Sequence, residues 1–372
     1  MASTNVATDF KNALIRLSSP AFNDKNEKRM PTYGALEAIK ADTNSLIVPS
    51  EIERAKKSVR QDVEIAVLKK FSATDVDADS CTITGDTAET AVVTPSYANY
   101  GFAVKAYPEI HYGNQITMEE TMAYNMFMGW QKVFGRLDVA AVAMLEASKS
   151  AITTTSTYFD VASSTATLKA GLDPQKVYAY MAGYLKKLNL NGGYKEVANT
   201  EALTTSLLSR GYSANNSENK SFNGGLAGSD QFNTFVTNNA TPPATTEEVR
   251  YVFENGTFGL LNWNRPIGSA DWGRIGDHEY WTTIQDPFYG LDWTVHYKKA
   301  CTDLSADYEG LTATIGEHYL IYSSFAFVEI SSAVIVPSSF LSLLQLIVSN
   351  DKTKPRNKIF VFIINNFRFT LI

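Results

Sequence analysis

One short stretch of the sequence contains residues that could carry acid–base or metal chemistry. It holds two aspartates, a histidine and a glutamate, which are Asp271, Asp277, His278 and Glu279. Such side chains bind zinc and serve as general acids and bases. However, no HExxH or comparable pattern accompanies them, and no Gly-x-Ser-x-Gly elbow supplies a nucleophile for a triad with Asp277 and His278. We therefore interpret them as polar residues of a loop and predict no catalytic residue and no metal site.

The other candidates for chemistry have less support. The glycine-rich run at residues 224–228 lacks the GKS/T ending and the preceding strand of a phosphate-binding loop. Cys81 and Cys301 are far apart in the chain, so a disulfide framework is unexpected. Neither cysteine has the histidine or helix-terminus context of a reactive thiolate. The sequence therefore predicts no cofactor and no enzymatic activity.

Aromatic residues are concentrated between residues 263 and 293. The cluster comprises Trp263, Trp272, Trp281, Phe288, Tyr289 and Trp293. A row of exposed rings could form a carbohydrate-binding platform, so a secreted carbohydrate-binding or hydrolytic protein is one hypothesis. Aromatic side chains more often lie in a core or an interface, because they bury the most area per side chain, and we favour that interpretation.

The clearest structural element is a long helix predicted over residues 117–150. Thr117 followed by Glu120 is a capping-box pattern, and apolar residues then recur at steps of three and four, as on one face of an α-helix. Roughly 33 residues at about 1.5 Å each make a rod of about 50 Å, which far exceeds the average helix of about 11–12 residues. This helix is either a long core helix or a spine that carries separate structural elements.

The sequence pattern of the segments before this helix does not indicate a hydrophobic core of their own. Residues 1–50 are polar and contain three prolines, so we expect an extended arm with one short helix over Thr8–Leu17. A second short helix is expected over residues 50–59. Residues 63–113 alternate in the manner of several strands with long polar turns, and one of these strands has Tyr100, Phe102, Val104 and Ala106 on one face. A thin β excursion of this kind needs another surface to pack on.

The segments after the long helix mix helices and strands. We expect a hairpin near residues 153–171, a helix starting at Asp173-Pro174, and a strand over residues 194–198. Asn199 is expected to cap a third helix with its leucines inward, which are Leu203, Leu207 and Leu208. Residues 212–248 have the composition of a surface loop. Asn255-Gly256 predicts a hairpin, and residues 319–335 predict a further strand.

The bulk composition limits the possible partners. The chain has 372 residues and a net charge of −6, which gives no support for a general nucleic-acid binder. The N-terminus lacks the pattern of a signal peptide, and no apolar run is long enough to cross a membrane. From Val336 onward five basic residues accompany a single acid, Asp351. Two apolar runs flank this basic stretch, and the structure of residues 336–372 stays open.

This order of elements resembles the major capsid protein of tailed phages (Caudoviricetes), the Hong Kong 97-type fold that encapsulins share. RQDVEIAVLKKF and VTPSYANYGFAVKAYPEIHYGNQ resemble the extended loop of that family and its return. TMEETMAYNMFMGWQKVFGRLDVAAVAMLEA resembles its spine helix. KEVANTEALTTSLLSRG and VFENGTFGLLNWNRP resemble parts of its axial domain. The resemblance covers about residues 51–330 and includes no invariant catalytic motif.

The resemblance implies an α+β fold with five parts. These are an N-terminal arm with a short helix (1–62), an extended β-hairpin loop (63–113), a peripheral domain with the spine helix (114–193), an axial domain (194–335) and a C-terminal tail (336–372). The loop would lie over a neighbouring subunit and the arm would reach across another. Aromatic anchors at interfaces carry much of the binding energy, so Tyr100, Phe102, Trp263 and Trp272 are our candidates for intersubunit contact.

The resemblance also implies a function. Copies of the chain would form the hexamers and pentamers of an icosahedral phage head that encloses double-stranded DNA without sequence-specific binding. The protein would belong to the virion and would be assembled in the cytoplasm of the bacterial host, with scaffolding, portal and decoration proteins as further partners and no membrane. Two alternatives stay open: an encapsulin-like compartment with protein cargo, and the carbohydrate-binding or hydrolytic protein based on residues 263–293.

Overall fold

The computed structural model describes most of the chain in separate stretches. They are residues 2–18, 30–58, 60–61, 64–68, 90–108, 117–149, 152, 154–162, 164–173, 176–188, 190, 193–204, 206, 232–240, 246–264, 273–276, 279–302, 314–329 and 360–365. These residues form both helices and sheets, as an α+β fold requires. No helix within these stretches is long and apolar enough to cross a membrane.

Five helices are described, and the longest is the one predicted from its period. They are α1 (Ala2–Leu17), α2 (Gly34–Leu46), α3 (Pro49–Lys57), α4 (Met118–Ala147) and α5 (Val177–Lys187). The side chain of Thr117 accepts a hydrogen bond from the Glu120 backbone N–H, as an N-cap should. The Glu120 carboxylate accepts a hydrogen bond from Arg16 of α1, so the capping side chains also join two helices. The predicted long helix is confirmed.

The strands form a two-stranded ribbon and two larger sheets. The strands are β1 (Ile65–Leu68), β2 (Thr90–Val93), β3 (Ala98–Ala106), β4 (Phe159–Ala162), β5 (Thr165–Leu168), β6 (Tyr194–Asn199), β7 (Phe232–Thr237), β8 (Thr246–Glu254), β9 (Phe258–Trp263), β10 (Gly273–Gly276), β11 (Glu279–Gln285), β12 (Asp292–Thr302), β13 (Thr314–Glu329) and β14 (Phe360–Asn365). β1 pairs with β2. The first sheet has the order β10-β11-β12-β13-β3 with β9 also on β13, and the second sheet has the order β4-β5-β14-β8-β6-β7.

Three apolar cores hold these layers together. The largest lies between α4 and the first sheet and includes Trp130, Phe134 and Trp293. The second lies between α5 and the second sheet. A small third core joins α3 and β1 to the opposite face of the first sheet near Ala326 and Val328. Because α2 packs against β9, α4, β7 and β6, it connects the first sheet to the second.

The prediction of an extended N-terminal arm is wrong for the described residues. α1 buries Phe10, Ala13 and Leu17 in the largest core. These side chains recur at steps of three and four, so they lie on one face of a helix. The polar residues between them lowered the apparent hydrophobicity of the segment and hid this face. Residues 34–46 also form a helix, and most of its inward face is fully buried.

The second half of the chain brings two further corrections. The turn at Asn255-Gly256 is present, with Gly256 at a φ of 80°, but β8 joins the second sheet and β9 joins the first. The predicted hairpin is therefore a crossing between sheets. Residues 212–248 are not wholly a loop, because β7 lies within them and pairs in parallel with β6.

Two helix predictions need adjustment at their ends. α5 begins at Val177 with Lys176 as N-cap, which is later than the predicted start at Asp173-Pro174. In the next helical turn Leu203 is 37% exposed, while Ala202 and Ser206 are buried. The expectation that Leu203 points inward is thus wrong, and Leu207 and Leu208 lie outside the described residues.

Candidate assembly surfaces

Tyr100 and Phe102 lie on β3 where this strand passes α4. The Phe102 ring meets Trp130 edge-on at a centroid distance of 5.5 Å. A Cβ atom at Gly129 would stand 2.1 Å from the Phe102 ring, so the glycine lets strand and helix approach. Tyr100 meets Phe325 edge-on at 6.0 Å, and the Arg136 guanidinium lies 5.2 Å from the Tyr100 ring centroid. Both candidates are partly buried by their own chain.

Trp263 lies at the end of β9, close to the position of Tyr100. Its indole N–H donates a hydrogen bond of 2.8 Å to the Ser58 carbonyl. β13 pairs through Ser324 with Trp263 on β9 and through Ser323 with Tyr100 on β3. The structure therefore brings Tyr100 and Trp263 to opposite edges of one strand. Trp272 lies outside the described residues, and contact of all four candidates with other copies stays a prediction.

The described aromatic residues of region 263–293 lie mainly in the core. Trp293 is fully buried, and Phe288 and Tyr289 meet the Phe134 ring edge-on at 6.4 and 4.8 Å. The Asp286 carboxylate fixes the turn that carries these rings, because it accepts hydrogen bonds from the backbone N–H groups of Phe288, Tyr289 and Leu291. The core interpretation is confirmed for Trp293, and Phe288 and Tyr289 pack against the same core as partly buried side chains.

Trp281 differs from its neighbours because it lies on the other face of the first sheet. It stacks on His296 with ring centroids 4.1 Å apart. The Trp281 Nε1 and His296 Nε2 atoms are buried and have no hydrogen-bond partner. Burial lowers the pKa of His296, against the opposing effect of Glu279 and with the help of Lys298. A neutral imidazole stacked on an indole is a packing contact.

Two buried aspartates clamp α2 between the sheets. The Asp42 carboxylate accepts hydrogen bonds from the Lys195 ammonium at 2.6 Å and from the backbone N–H groups of Gly256, Thr257 and Phe258 at 2.7–2.8 Å. Asp138 of α4 accepts hydrogen bonds from the backbone N–H of Leu36 at 3.0 Å and from the Asn239 side chain at 2.7 Å. Both aspartates are fully buried. Asp42 fixes the turn at which the chain crosses from one sheet to the other, and Asp138 ties the first turn of α2 to α4 and to the segment after β7.

A buried ion pair lies beneath the second sheet. The Arg250 guanidinium donates to Glu196 at 2.5 Å and to the Ala202 carbonyl at 2.9 Å. The Tyr178 hydroxyl donates to Glu196 at 2.9 Å, and burial together with the nearby Glu196 raises the pKa of Tyr178. The Arg250 and Glu196 side chains are 0% exposed, so the network holds β6, β8 and α5 together and offers no opening to a substrate. One buried atom of this network, Arg250 Nε, has no hydrogen-bond partner.

The residues that the sequence suggested for catalysis or metal binding form no such site in the described part of the chain. Within it, no group of three or more His, Cys, Asp or Glu side chains could hold a metal ion. Asp271, Asp277 and His278 lie outside that part, and Glu279 pairs with Lys298 at 3.1 Å. Cys301 is an exposed free thiol, while Cys81 and residues 224–228 lie outside the described ranges.

Comparison with solved structures finds chains of similar fold, whereas comparison with family models and with curated proteins finds no match. A chain of Mycobacterium phage Bobi is 12% identical with a TM-score of 0.42, over 93% of this chain and 94% of that one. A chain of Mycobacterium phage Adephagia is 11% identical with a TM-score of 0.44, over 92% of both. A chain from the capsid of an empty GTA particle is 9% identical with a TM-score of 0.38, over 91% of both. These scores describe a loose likeness, so the proposal below rests on the contacts of this chain.

Proposed function

We propose that this chain is a major capsid protein, a structural subunit that assembles with copies of itself into the hexamers and pentamers of an icosahedral phage head. In this proposal the head encloses double-stranded DNA, the protein belongs to the virion, and assembly takes place in the cytoplasm of the bacterial host. Scaffolding, portal and decoration proteins are the further partners of such a subunit. No enzymatic role is proposed.

The observation that carries the proposal is the ribbon formed by β1 and β2. Among the described strands these two pair only with each other. Ile65 is buried against α3, but Val92 on the partner strand is 58% exposed. A two-stranded ribbon is marginally stable alone, and an exposed valine on it favours cover by another molecule. A neighbouring copy that covers this ribbon would supply the missing burial, as the extended loop of a Hong Kong 97-type shell does.

The remaining elements fit the same assignment. α4 with the first sheet would form the peripheral domain, and the second sheet with α5 would form the axial domain. β4, β5 and α5 share a core with β6 and β8, so we move the boundary proposed at residue 193 to a point before β4. Because β9 to β13 belong to the first sheet, we also assign them to the peripheral domain, although they lie in the range 194–335 expected for the axial domain. Tyr100, Phe102, Trp263 and Trp272 remain the proposed contacts between subunits. The first three lie near the place where β3 and β9 pair with β13, and Trp272 lies outside the described residues.

The test is the particle size of the purified chain, measured by negative-stain microscopy and light scattering. We expect closed shells, or free hexamers and pentamers. A variant without residues 74–88 should remain small, because the linker of the β1–β2 ribbon is shortened. A matched variant without residues 213–225, another polar stretch of similar length, should assemble as before. A monomer of 41.0 kDa at every protein concentration and salt level would refute the proposal.

The content of the particles decides between the two shell functions. DNA protected from nuclease inside purified particles would support the phage head. A single co-purified enzyme in place of DNA would support an encapsulin-like compartment. The carbohydrate hypothesis has less support than the shell functions, because Trp293 is buried and Phe288 and Tyr289 pack against the core instead of standing in an exposed row.

A further inference from the structure

The outward face of α4 is unusually apolar for a helix surface. Met128 is 45% exposed and Val139 is 52% exposed, and Ala143 is exposed one turn beyond Val139. With Tyr124, which is 38% exposed, these residues follow one another at steps that place them on one side of the helix. The stripe from Tyr124 to Ala143 is about 28 Å long. Exposed apolar residues aligned along one side of a helix are the arrangement that helix-to-surface recognition uses.

The charges on this stripe have one sign. Lys132 and Arg136 are exposed between Met128 and Val139, while the acid of this segment, Asp138, is fully buried. The acids at the helix ends already have partners. Glu119 and Glu120 contact Arg16, and Glu146 contacts Lys149. The middle of α4 therefore presents an apolar and cationic surface on a chain whose net charge is −6.

A second copy of α4 does not complement this surface. Two antiparallel copies of the stripe would bring the Lys132 and Arg136 charges of each copy close to those of the other, and like charges at close range destabilise a contact. The other described helices offer no acidic face: α1 has a single acid, Asp9, which is partly buried. α5 has no acid, the acids of α3 pair with Arg54 and Lys56 of the same helix, and those of α2 pair with Tyr289 and Lys195.

We propose that the stripe of α4 from Tyr124 to Ala143 binds an acidic amphipathic helix of a separate protein. Apolar residues of the partner, spaced at three and four, would pack on Met128 and Val139 in the manner of helix-to-surface recognition. Its acidic flanks would face Lys132 and Arg136, so that charge complementarity fixes orientation and speeds association. The role of this partner as an assembly helper rests on the proposed function; the binding surface itself does not.

The probe for the test is a fluorescein-labelled peptide of about 20 residues, long enough to span the stripe as a helix. It carries leucines at steps of three and four, flanked by glutamates. A lysine-flanked analogue, a scrambled acidic peptide and a single-stranded oligonucleotide serve as controls. Fluorescence anisotropy is recorded with the purified full chain, at low and high salt, because screening weakens exposed ion pairs.

Two variants of the stripe and two matched variants elsewhere complete the design. Val139→Glu and Lys132→Glu should each weaken binding of the acidic peptide about tenfold or more, through lost burial and reversed charge. Ile315→Glu changes a residue of similar exposure, 49%, on β13, and Lys186→Glu reverses an exposed charge on α5. These two should bind as the unchanged chain does.

Each result has a defined meaning. Saturable binding of the acidic peptide alone, lost in the two stripe variants, supports the inference. Equal binding of the lysine analogue, the scrambled peptide or the oligonucleotide overturns it, as does unchanged binding in Val139→Glu and Lys132→Glu. Particle formation is measured on the same preparations. A chain that assembles without binding the peptide refutes this inference alone, and a chain that binds but never assembles refutes the proposed function alone.

Discussion

At the scale of single residues, Asp42 is the most consequential side chain in the structure. Replacing Asp42 with alanine leaves the buried Lys195 ammonium and three backbone N–H groups without their acceptor. Breaking a buried ion pair by removing one partner costs about 3–5 kcal/mol. We therefore expect Asp42→Ala to lower the free energy of unfolding by about that amount, measured by urea denaturation.

An exposed ion pair provides the control for Asp42. The Asp160 side chain is 75% exposed and lies 3.9 Å from Lys169, so Asp160→Ala should change the free energy of unfolding by less than about 0.5 kcal/mol. If Asp42→Ala cost less than about 1 kcal/mol, the turn at Gly256 would not depend on this clamp.

Protonation of the His296 ring makes the free energy of unfolding depend on pH, and the burial of the ring determines the direction of this dependence. The pKa of His296 is lowered from its ordinary value of 6.5, mainly by burial, so the folded chain holds this proton more weakly than the unfolded chain. The contribution of the neutral ring to stability is fully present above pH 6.5 and is lost as pH falls through the lower pKa of the folded state. Unfolding midpoints should fall on acidification, and less so in His296→Gln.

The comparison variant for this pH effect is His318→Gln. Burial and Lys105 lower the pKa of His318 as well, so each single variant should remove part of the acid-side loss and the double variant more. Identical pH profiles for the unchanged chain and His296→Gln would show that the ring is as readily protonated in the fold as in the unfolded chain.

The buried acids were not predicted from the sequence, although one signal was present. Acidic residues are rarely fully buried unless they are paired, so the residue types alone give no reason to expect Asp42 and Asp138 in the core. Asp42 nevertheless follows Leu36 and Ile39 at helical spacing, on the same buried face as both. That position could have identified it. Arg250 had no such signal, because the residues on both sides of it in β8 are buried as well.

At the scale of elements, the contact between α4 and β3 depends on Gly129. Replacing it with alanine would place a Cβ atom 2.1 Å from the Phe102 ring, and overpacking of this kind costs about 1–3 kcal/mol. In a chain that already carries Phe102→Ala the clash is absent. Gly129→Ala should then stabilise the fold by up to about 1 kcal/mol, because alanine has a greater helix propensity than glycine. We expect the effect of Gly129→Ala on the unfolding free energy to change sign between the two backgrounds.

Gly183 of α5 is the matched control for this comparison between the Phe102 and Phe102→Ala backgrounds. A Cβ atom added there would meet nothing within 4 Å, so Gly183→Ala should stabilise the chain in both backgrounds. A cost of Gly129→Ala that persists without the Phe102 ring would place the clash elsewhere in the packing of α4.

The elements that the sequence predicted best are those with a local signal. The period of α4, the turn at Asn255-Gly256 and the alternation in β3 all lie within short windows of sequence. The partner of a strand has no such signal, because pairing joins residues far apart in the chain. β8 and β9 flank a perfect hairpin turn yet pair with β6 and β13. Sequence therefore predicts a strand more readily than the sheet to which it belongs.

At the scale of the whole molecule, the position of α1 relates the fold of one chain to its assembly. A polar N-terminal segment suggested an arm that reaches across a neighbour, whereas α1 packs on α4 of its own chain. Asn12 of α1 donates a hydrogen bond of 3.0 Å to Glu119 of α4. Because Phe10, Ala13 and Leu17 are buried beside this contact, leaving it would expose apolar area worth about 25 cal/mol per Å². We expect α1 to stay on its own chain in particles as well.

Chemical cross-linking tests this expectation directly. Asn12→Cys and Glu119→Cys are combined in a chain in which Cys81 and Cys301 are replaced by serine, and a short bismaleimide is added to purified particles. A link within one chain gives a single compact band at the mobility of the monomer on a denaturing gel. The two single-cysteine variants should give no such band. A ladder of dimers and higher species would mean that α1 exchanges between neighbours on assembly, since only a partner's α4 could then supply the second thiol.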